Sequence, residues 1–134
     1  MIVADANLLI HLLSREPESQ QARAVFVADG EWAAPLLWRS EFRNAMATAV
    51  RLRSITIGDA LERVRRAHAV LVGREFDVIS DRVLSLAAES GCSAYDCEYI
   101  DVAQRLAVPL VTSDRKLIRA FPRVAVSPQH FLDS

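Results

Sequence analysis

The first ten residues, MIVADANLLI (1–10), are apolar except for Asp5 and Asn7. Read together with PLVTSDRKL (109–117), they decide the fold. Each stretch runs from a short apolar segment (Ile2–Ala4; Leu110–Val111) through an aspartate (Asp5; Asp114) into a helical pattern. A carboxylate in an apolar run must be compensated, because burying an unpaired charge is costly. Taken singly, each Asp has an ordinary explanation as a helix N-cap, accepting bonds from the first backbone N–H groups.

Working outward, the same rhythm repeats. EWAAP (31–35), FDVIS (76–80) and RVAVS (123–127) read as further short extended segments. PESQQARAVFVAD, LLWRSEFRNAMATAVRLR, TIGDALERVRRAHAVLVGR, DRVLSLAAES, SAYDCEYIDVAQRLA and DRKLIRAF read as helices, and PQHFLDS as a surface turn or short helix. Thr56 and Asp59 have capping-box spacing, and Gly73 and Gly91 suit helix ends. The apolar stripe expected for the fourth helix is Ile57, Leu61, Val64 and Leu71, with His68 on the same face as a packing residue. Short, non-alternating apolar strands between helices predict a parallel sheet covered on both faces. With 134 residues and no linker or repeat, residues 1–134 are expected to form one domain.

Charged residues make up 25% of the chain and apolar residues 51%, as in an ordinary folded protein. No apolar run is long enough to cross a membrane, and the N-terminus lacks signal-peptide features. Cys92 and Cys97, spaced C-x4-C, are expected to be small core residues in a reducing cytoplasm. The net charge is −1, but residues 36–74 hold eight Arg against three acids, a local balance of +5. Such a segment suits an anionic partner or a solvated helical face equally.

Two further acids belong with Asp5 and Asp114. Asp96 lies in S-x-x-D (93–96), which also reads as a capping box. Glu41 lies inside a helix, on a face with Leu37, Ala45 and Thr48, where small residues leave room for an approaching group. In an open parallel sheet, ligands bind beyond the carboxyl ends of the strands, where strand order reverses. If the strand before Asp114 neighbours the first strand, all four acids reach one crevice. Four converging carboxylates repel one another, and a hard divalent cation such as Mg²⁺ or Mn²⁺ resolves this with oxygen ligands.

At these residues the chain resembles the PIN-domain family, and within it the VapC-type toxins of toxin–antitoxin pairs. The matching stretches are IVADANLLI, APLLWRSEFRNAM, AYDCEYIDVAQRLAVPLVTSDRKL and FPRVAVSP. The resemblance implies a three-layer α/β/α fold on a short, mostly parallel five-stranded sheet. It implies a Mg²⁺- or Mn²⁺-dependent endoribonuclease, with Asp5, Glu41, Asp96 and Asp114 as its acidic quartet and Asp5 and Asp96 as the most dependable metal ligands. Thr112 or Ser113 would be the hydroxyl that supports the site. Asn7 and Asn44 look like residues surrounding the ligands, although an ordinary cap or surface amide explains each equally well. An RNA substrate, an antitoxin partner and a homodimer follow as expectations. One departure is Asp101, where the family carries a small apolar residue; it is expected to be a surface acid, paired with Arg105 at i,i+4.

The Arg-rich helices at 36–74 would track RNA phosphates or form an antitoxin groove. Trp38, Phe42 and Met46 would be its apolar contacts, or would simply pack in the core. A PIN-like nuclease outside toxin–antitoxin systems is the alternative reading. A non-catalytic phosphate-switch module is disfavoured, because the only lysine, Lys116, does not sit at a last strand. A D-x-D phosphatase is disfavoured by Asp5-Ala6-Asn7.

Overall fold

The first strand, β1 (Ile2–Ala4), is fully buried and forms the centre of the sheet. A computed structural model describes all 134 residues. After β1 the chain forms α1 (Ala6–Leu12), α2 (Ser19–Ala28), β2 (Trp32–Pro35), α3 (Trp38–Arg51), α4 (Ile57–Leu71) and β3 (Glu75–Phe76). It continues through α5 (Ser80–Ser90), α6 (Ala94–Leu106), β4 (Leu110–Val111), α7 (Arg115–Ala120), β5 (Ala125–Val126) and α8 (Pro128–Leu132).

The sheet order is β3-β2-β1-β4-β5, and every pairing is parallel. Val3 stands opposite both Ala33 of β2 and Leu110 of β4. The chain therefore winds outward from β1 on one side and returns to its other side at β4. The sheet is parallel throughout, as the short apolar strands predicted, where the family resemblance implied a mostly parallel one.

The helices fall into two packed groups. In one, α1 packs on α2 and α3, α3 on α4, and α2 on α8; in the other, α5 packs on α6. The helix α6 also lies against β1, β2 and β4, so little of its circumference meets solvent. This gives the three-layer arrangement and explains why Cys97, Tyr99, Ile100, Asp101, Val102 and Ala103 are all buried on one helix.

That enclosure corrects one expectation. Asp101 is not a surface acid; its side chain is 0% exposed. It does point away from Asp96, but that side of α6 is covered by α5. Arg82 of α5 donates to Asp101 Oδ1 at 2.5 Å, Arg105 donates to Oδ2 at 3.2 Å, and the Ile79 N–H donates to Oδ2 at 3.1 Å. The Arg105 partnership is as expected; Arg82 is not visible from local spacing. Burial pushes the Asp101 carboxyl up, but the three donors outweigh it and hold the group below its ordinary value.

A second correction concerns α4. Ile57 and Leu61 are exposed at 63% and 53%, and the residues buried on this helix are Ala60, Ala67 and Leu71. Leu71 is buried as expected and Val64 is half-buried, but Ile57 and Leu61 turn outward, and the small Ala60 and Ala67 allow close packing against α3 and β2 in their place. His68 is exposed and not packed inside, but its ring rests edge-on against Trp38 with ring centroids 4.9 Å apart. Cys92 and Cys97 are free and buried. Thr56 and Asp59 form a reciprocal capping box at the start of α4. No helix is long and apolar enough to cross a membrane.

Candidate active site

Where the chain reverses direction across the sheet, between β1 and β4, a cavity of about 330 Å³ opens. Asp5, Ala6, Asn7, Ile10, Glu41, Asn44, Ala45, Asp96 and Asp114 line it. The four acids arrive from four elements: the end of β1, the first turn of α3, the first turn of α6, and the turn between β4 and α7. No lysine or arginine lines the cavity.

Asp5 and Asp114 do cap helices. Asp5 Oδ1 accepts from the Asn7 N–H at 3.0 Å, and Asp114 Oδ1 accepts from the Leu117 N–H at 3.1 Å. Capping uses one oxygen of each carboxylate and leaves the other for a second task. For Asp5 that other oxygen, Oδ2, accepts from Thr112 Oγ1 at 2.5 Å. Thr112 is fully buried at the end of β4, and its Oγ1 also accepts from the Asp114 N–H at 3.1 Å. One hydroxyl thus ties the two strand-end acids into a fixed relation. Of the two hydroxyls considered, Thr112 makes these bonds; Ser113 is exposed and makes no hydrogen bond through its hydroxyl.

Asp96 differs from the capping box its spacing suggests. Ser93 Oγ accepts from the Asp96 N–H at 3.0 Å, but the return bond from the Asp96 carboxylate to the Ser93 N–H is absent. The carboxylate is free to face the cavity. Glu41 Oε1 accepts from the hydroxyl of Tyr99 at 2.6 Å. Tyr99 was not singled out in the sequence, where it reads as a core aromatic. The signal that finds it is spacing: three residues after Asp96, it lies on the same face of α6. Asn7 and Asn44 expose side-chain amides on the cavity wall without protein partners.

The electrostatics follow from this crowding. Partial burial raises the Glu41 carboxyl above its ordinary value; the charges of Asp5, Asp96 and Glu98 add to the effect, against the Tyr99 hydrogen bond. Burial likewise raises Asp96, with Asp114 and Asp5 adding to it and Ser93 and Lys116 opposing it. Lys116 is itself turned to the Gly91 carbonyl at 2.9 Å. Glu98 is a fifth acid close enough to be felt, and burial raises it as well. Burial and the Glu41 hydrogen bond drive the Tyr99 phenol far above its ordinary value, so it remains protonated and a donor.

The donor set is entirely oxygen, which suits a hard cation such as Mg²⁺ or Mn²⁺ and not a thiolate- or imidazole-preferring metal. The acids share a cavity without closing on a point: no three His, Cys, Asp or Glu side chains are near enough to hold an ion as they stand. Like charges across the cavity favour this open spacing, and a cation between them would reverse the sign of the interaction.

A PIN-domain family model matches residues 2–125. No curated protein matches the sequence. Among solved structures, PAE2754 from Pyrobaculum aerophilum superposes with a TM-score of 0.77 at 23% identity, covering 98% of this chain and 93% of its own. A toxin–antitoxin complex from Klebsiella pneumoniae superposes with a TM-score of 0.69 at 20% identity, covering 96% and 98%. FitAcB from Neisseria gonorrhoeae superposes with a TM-score of 0.73 at 17% identity, covering 97% and 99%. The PIN fold is a nuclease fold, and with a family match across nearly its whole length this chain belongs to the PIN-domain family.

Proposed function

We propose that the protein is a Mg²⁺- or Mn²⁺-dependent endoribonuclease, the toxin half of a VapBC-type toxin–antitoxin pair acting in the cytoplasm. The observation that carries this reading is the convergence of Asp5, Glu41, Asp96 and Asp114 on one cavity with no basic residue lining it. When bound, a divalent cation supplies Lewis-acid chemistry: it acidifies water for in-line attack on phosphorus and offsets charge on the phosphoryl oxygens.

The chain's own residues hold and orient. Asp5 and Asp96 are the principal ligands, with Glu41 and Asp114 completing the oxygen set. Thr112 keeps Asp5 and Asp114 in register. The amides of Asn7 and Asn44 stand on the cavity wall where a phosphate or ribose hydroxyl would enter. The products expected from the family are a 5′-phosphate and a 3′-hydroxyl.

The antitoxin reading is supported by similarity to the toxin–antitoxin complex from Klebsiella pneumoniae and by a groove of about 350 Å³ between α3 and α4. Met46, Val50, Ile57, Leu61 and Val64 form its apolar floor, and Arg43 and Arg51 line it with them. Of the three apolar contacts named from sequence, Trp38 and Phe42 are core residues at 1% and 0% exposure; only Met46 reaches the groove. A homodimer is part of the same proposal and is read by light scattering.

The test is cleavage of end-labelled RNA with Mg²⁺ or Mn²⁺ and with chelator. The wild type should cut only with the cation, and Asp5→Asn and Asp96→Asn should not cut while melting as folded proteins. Cleavage at the wild-type rate in both variants would remove the site from consideration.

A further inference from the structure

Tyr99 is 4% exposed, and its hydroxyl is its only polar side-chain atom. That hydroxyl has one partner, Glu41 Oε1 at 2.6 Å, across the junction between α6 and α3. A buried hydroxyl without a partner is costly, so this bond is held by packing as well as by its own strength. Three observations coincide here. The donor is a rigid ring fixed in the core. The acceptor is one oxygen of an acid that lines the cavity. And Tyr99 stands one turn along α6 from Asp96, so the element that carries Asp96 also sets Glu41.

We propose that Tyr99 is a positioning residue that occupies one oxygen of Glu41, aims the other into the cavity, and thereby sets the affinity of the site for a divalent cation. This rests on the cation-dependent nuclease reading above. With Oε1 taken, Glu41 reaches an ion through Oε2 alone or through water, and its side chain does not sample rotamers that leave the cavity. A purely structural tyrosine would affect folding and leave cation affinity alone.

The experiment is calorimetric titration of Mn²⁺ into the wild type, Asp5→Asn, Tyr99→Phe, Glu41→Gln and the Glu41→Gln/Tyr99→Phe double variant, each checked by thermal melting. Removing a hydrogen-bond partner behind a metal ligand typically weakens binding about 10- to 100-fold, and a loss of about tenfold is expected for Tyr99→Phe. In the Glu41→Gln background the same change should have no effect on affinity. Wild-type affinity in Tyr99→Phe, or an equal loss in both backgrounds, overturns the inference. If Asp5→Asn binds Mn²⁺ as the wild type does, the underlying site assignment has failed, and the inference fails with it. A second measurement needs no substitution at 99: the chain has two tyrosines, Tyr95 and Tyr99, so 3-fluorotyrosine labelling gives two fluorine resonances. Mg²⁺ should shift the Tyr99 resonance in the wild type and not in Glu41→Gln; an unmoved Tyr99 resonance in the wild type overturns the proposal.

Discussion

Asp101→Asn removes the only full charge buried between α5 and α6 while preserving side-chain volume. In the wild type that carboxylate takes bonds from Arg82, Arg105 and the Ile79 N–H. The amide keeps one acceptor oxygen and sets its NH₂ against a guanidinium, donor against donor. Removing one partner of a buried ion pair typically costs about 3–5 kcal/mol. Here the Arg82 and Arg105 side chains are 40% and 32% exposed, so they regain water and the cost falls below that range. A loss of about 2–3 kcal/mol is expected, which for a domain of this size lowers the melting temperature by roughly 8–10 °C. The pH dependence has a definite sign. Asp101 titrates below its ordinary value when folded, so its contribution is complete above about pH 4, the unfolded carboxyl's pKa, and is lost as pH falls through the folded one. The stability gap between wild type and variant should therefore narrow in acid. Urea titrations at pH 7 and pH 3 measure both quantities. RNA cleavage well below the melting temperature should be unchanged, since Asp101 does not line the cavity. A shift under about 2 °C, or loss of cleavage in folded Asp101→Asn, would refute the placement of this acid.

Three other outcomes are expected. Thr112→Val deletes the donor to Asp5 and the acceptor for the Asp114 N–H, so cleavage should fall about 10- to 100-fold, with recovery in Thr112→Ser; equal rates in Thr112→Val and wild type would show that the hydroxyl does not orient the acids. Burial and neighbouring acids raise Glu41 and Asp96, so stability of the cation-free protein is lost as pH rises from about 4 through their folded values. Added Mg²⁺ should accordingly raise the melting temperature more at pH 7.5 than at pH 5, where protons compete for the same oxygens; an equal shift at both would contradict it. Asp96→Asn should melt slightly higher than wild type without cation, because one of the mutually repelling charges is gone, and should lose the Mg²⁺-induced gain; a lower melting temperature would count against repulsion in the cavity.

The strand-end acids were legible because a strand passing directly into a helix fixes where its last residue stands. Asp5 and Asp114 follow adjacent parallel strands, and adjacency at the reversal point brings them together. Glu41 was legible as an acid on a face of small residues; of that face Ala45 lines the cavity beside it, while Leu37 and Thr48 do not. What stayed hidden depends on contacts between distant elements. Tyr99 reads as core until α3 is placed against α6, since its partner is 58 positions away. Asp101 reads as exposed until α5 covers that side of α6 and brings Arg82, 19 positions away. On α4 the larger apolar residues suggested the buried face; Leu71 is buried, but Ile57 and Leu61 are exposed, and Ala60 and Ala67 pack inward where small side chains permit close approach.

Crystals grown or soaked with Mn²⁺ and measured at an anomalous wavelength test the cation site most directly. An anomalous peak should lie within about 2.0–2.3 Å of carboxylate oxygens from Asp5 and Asp96, with Glu41 drawn toward it through its free oxygen. A cavity without a peak at saturating Mn²⁺, or a peak held by other residues while RNA is still cleaved, would contradict the account.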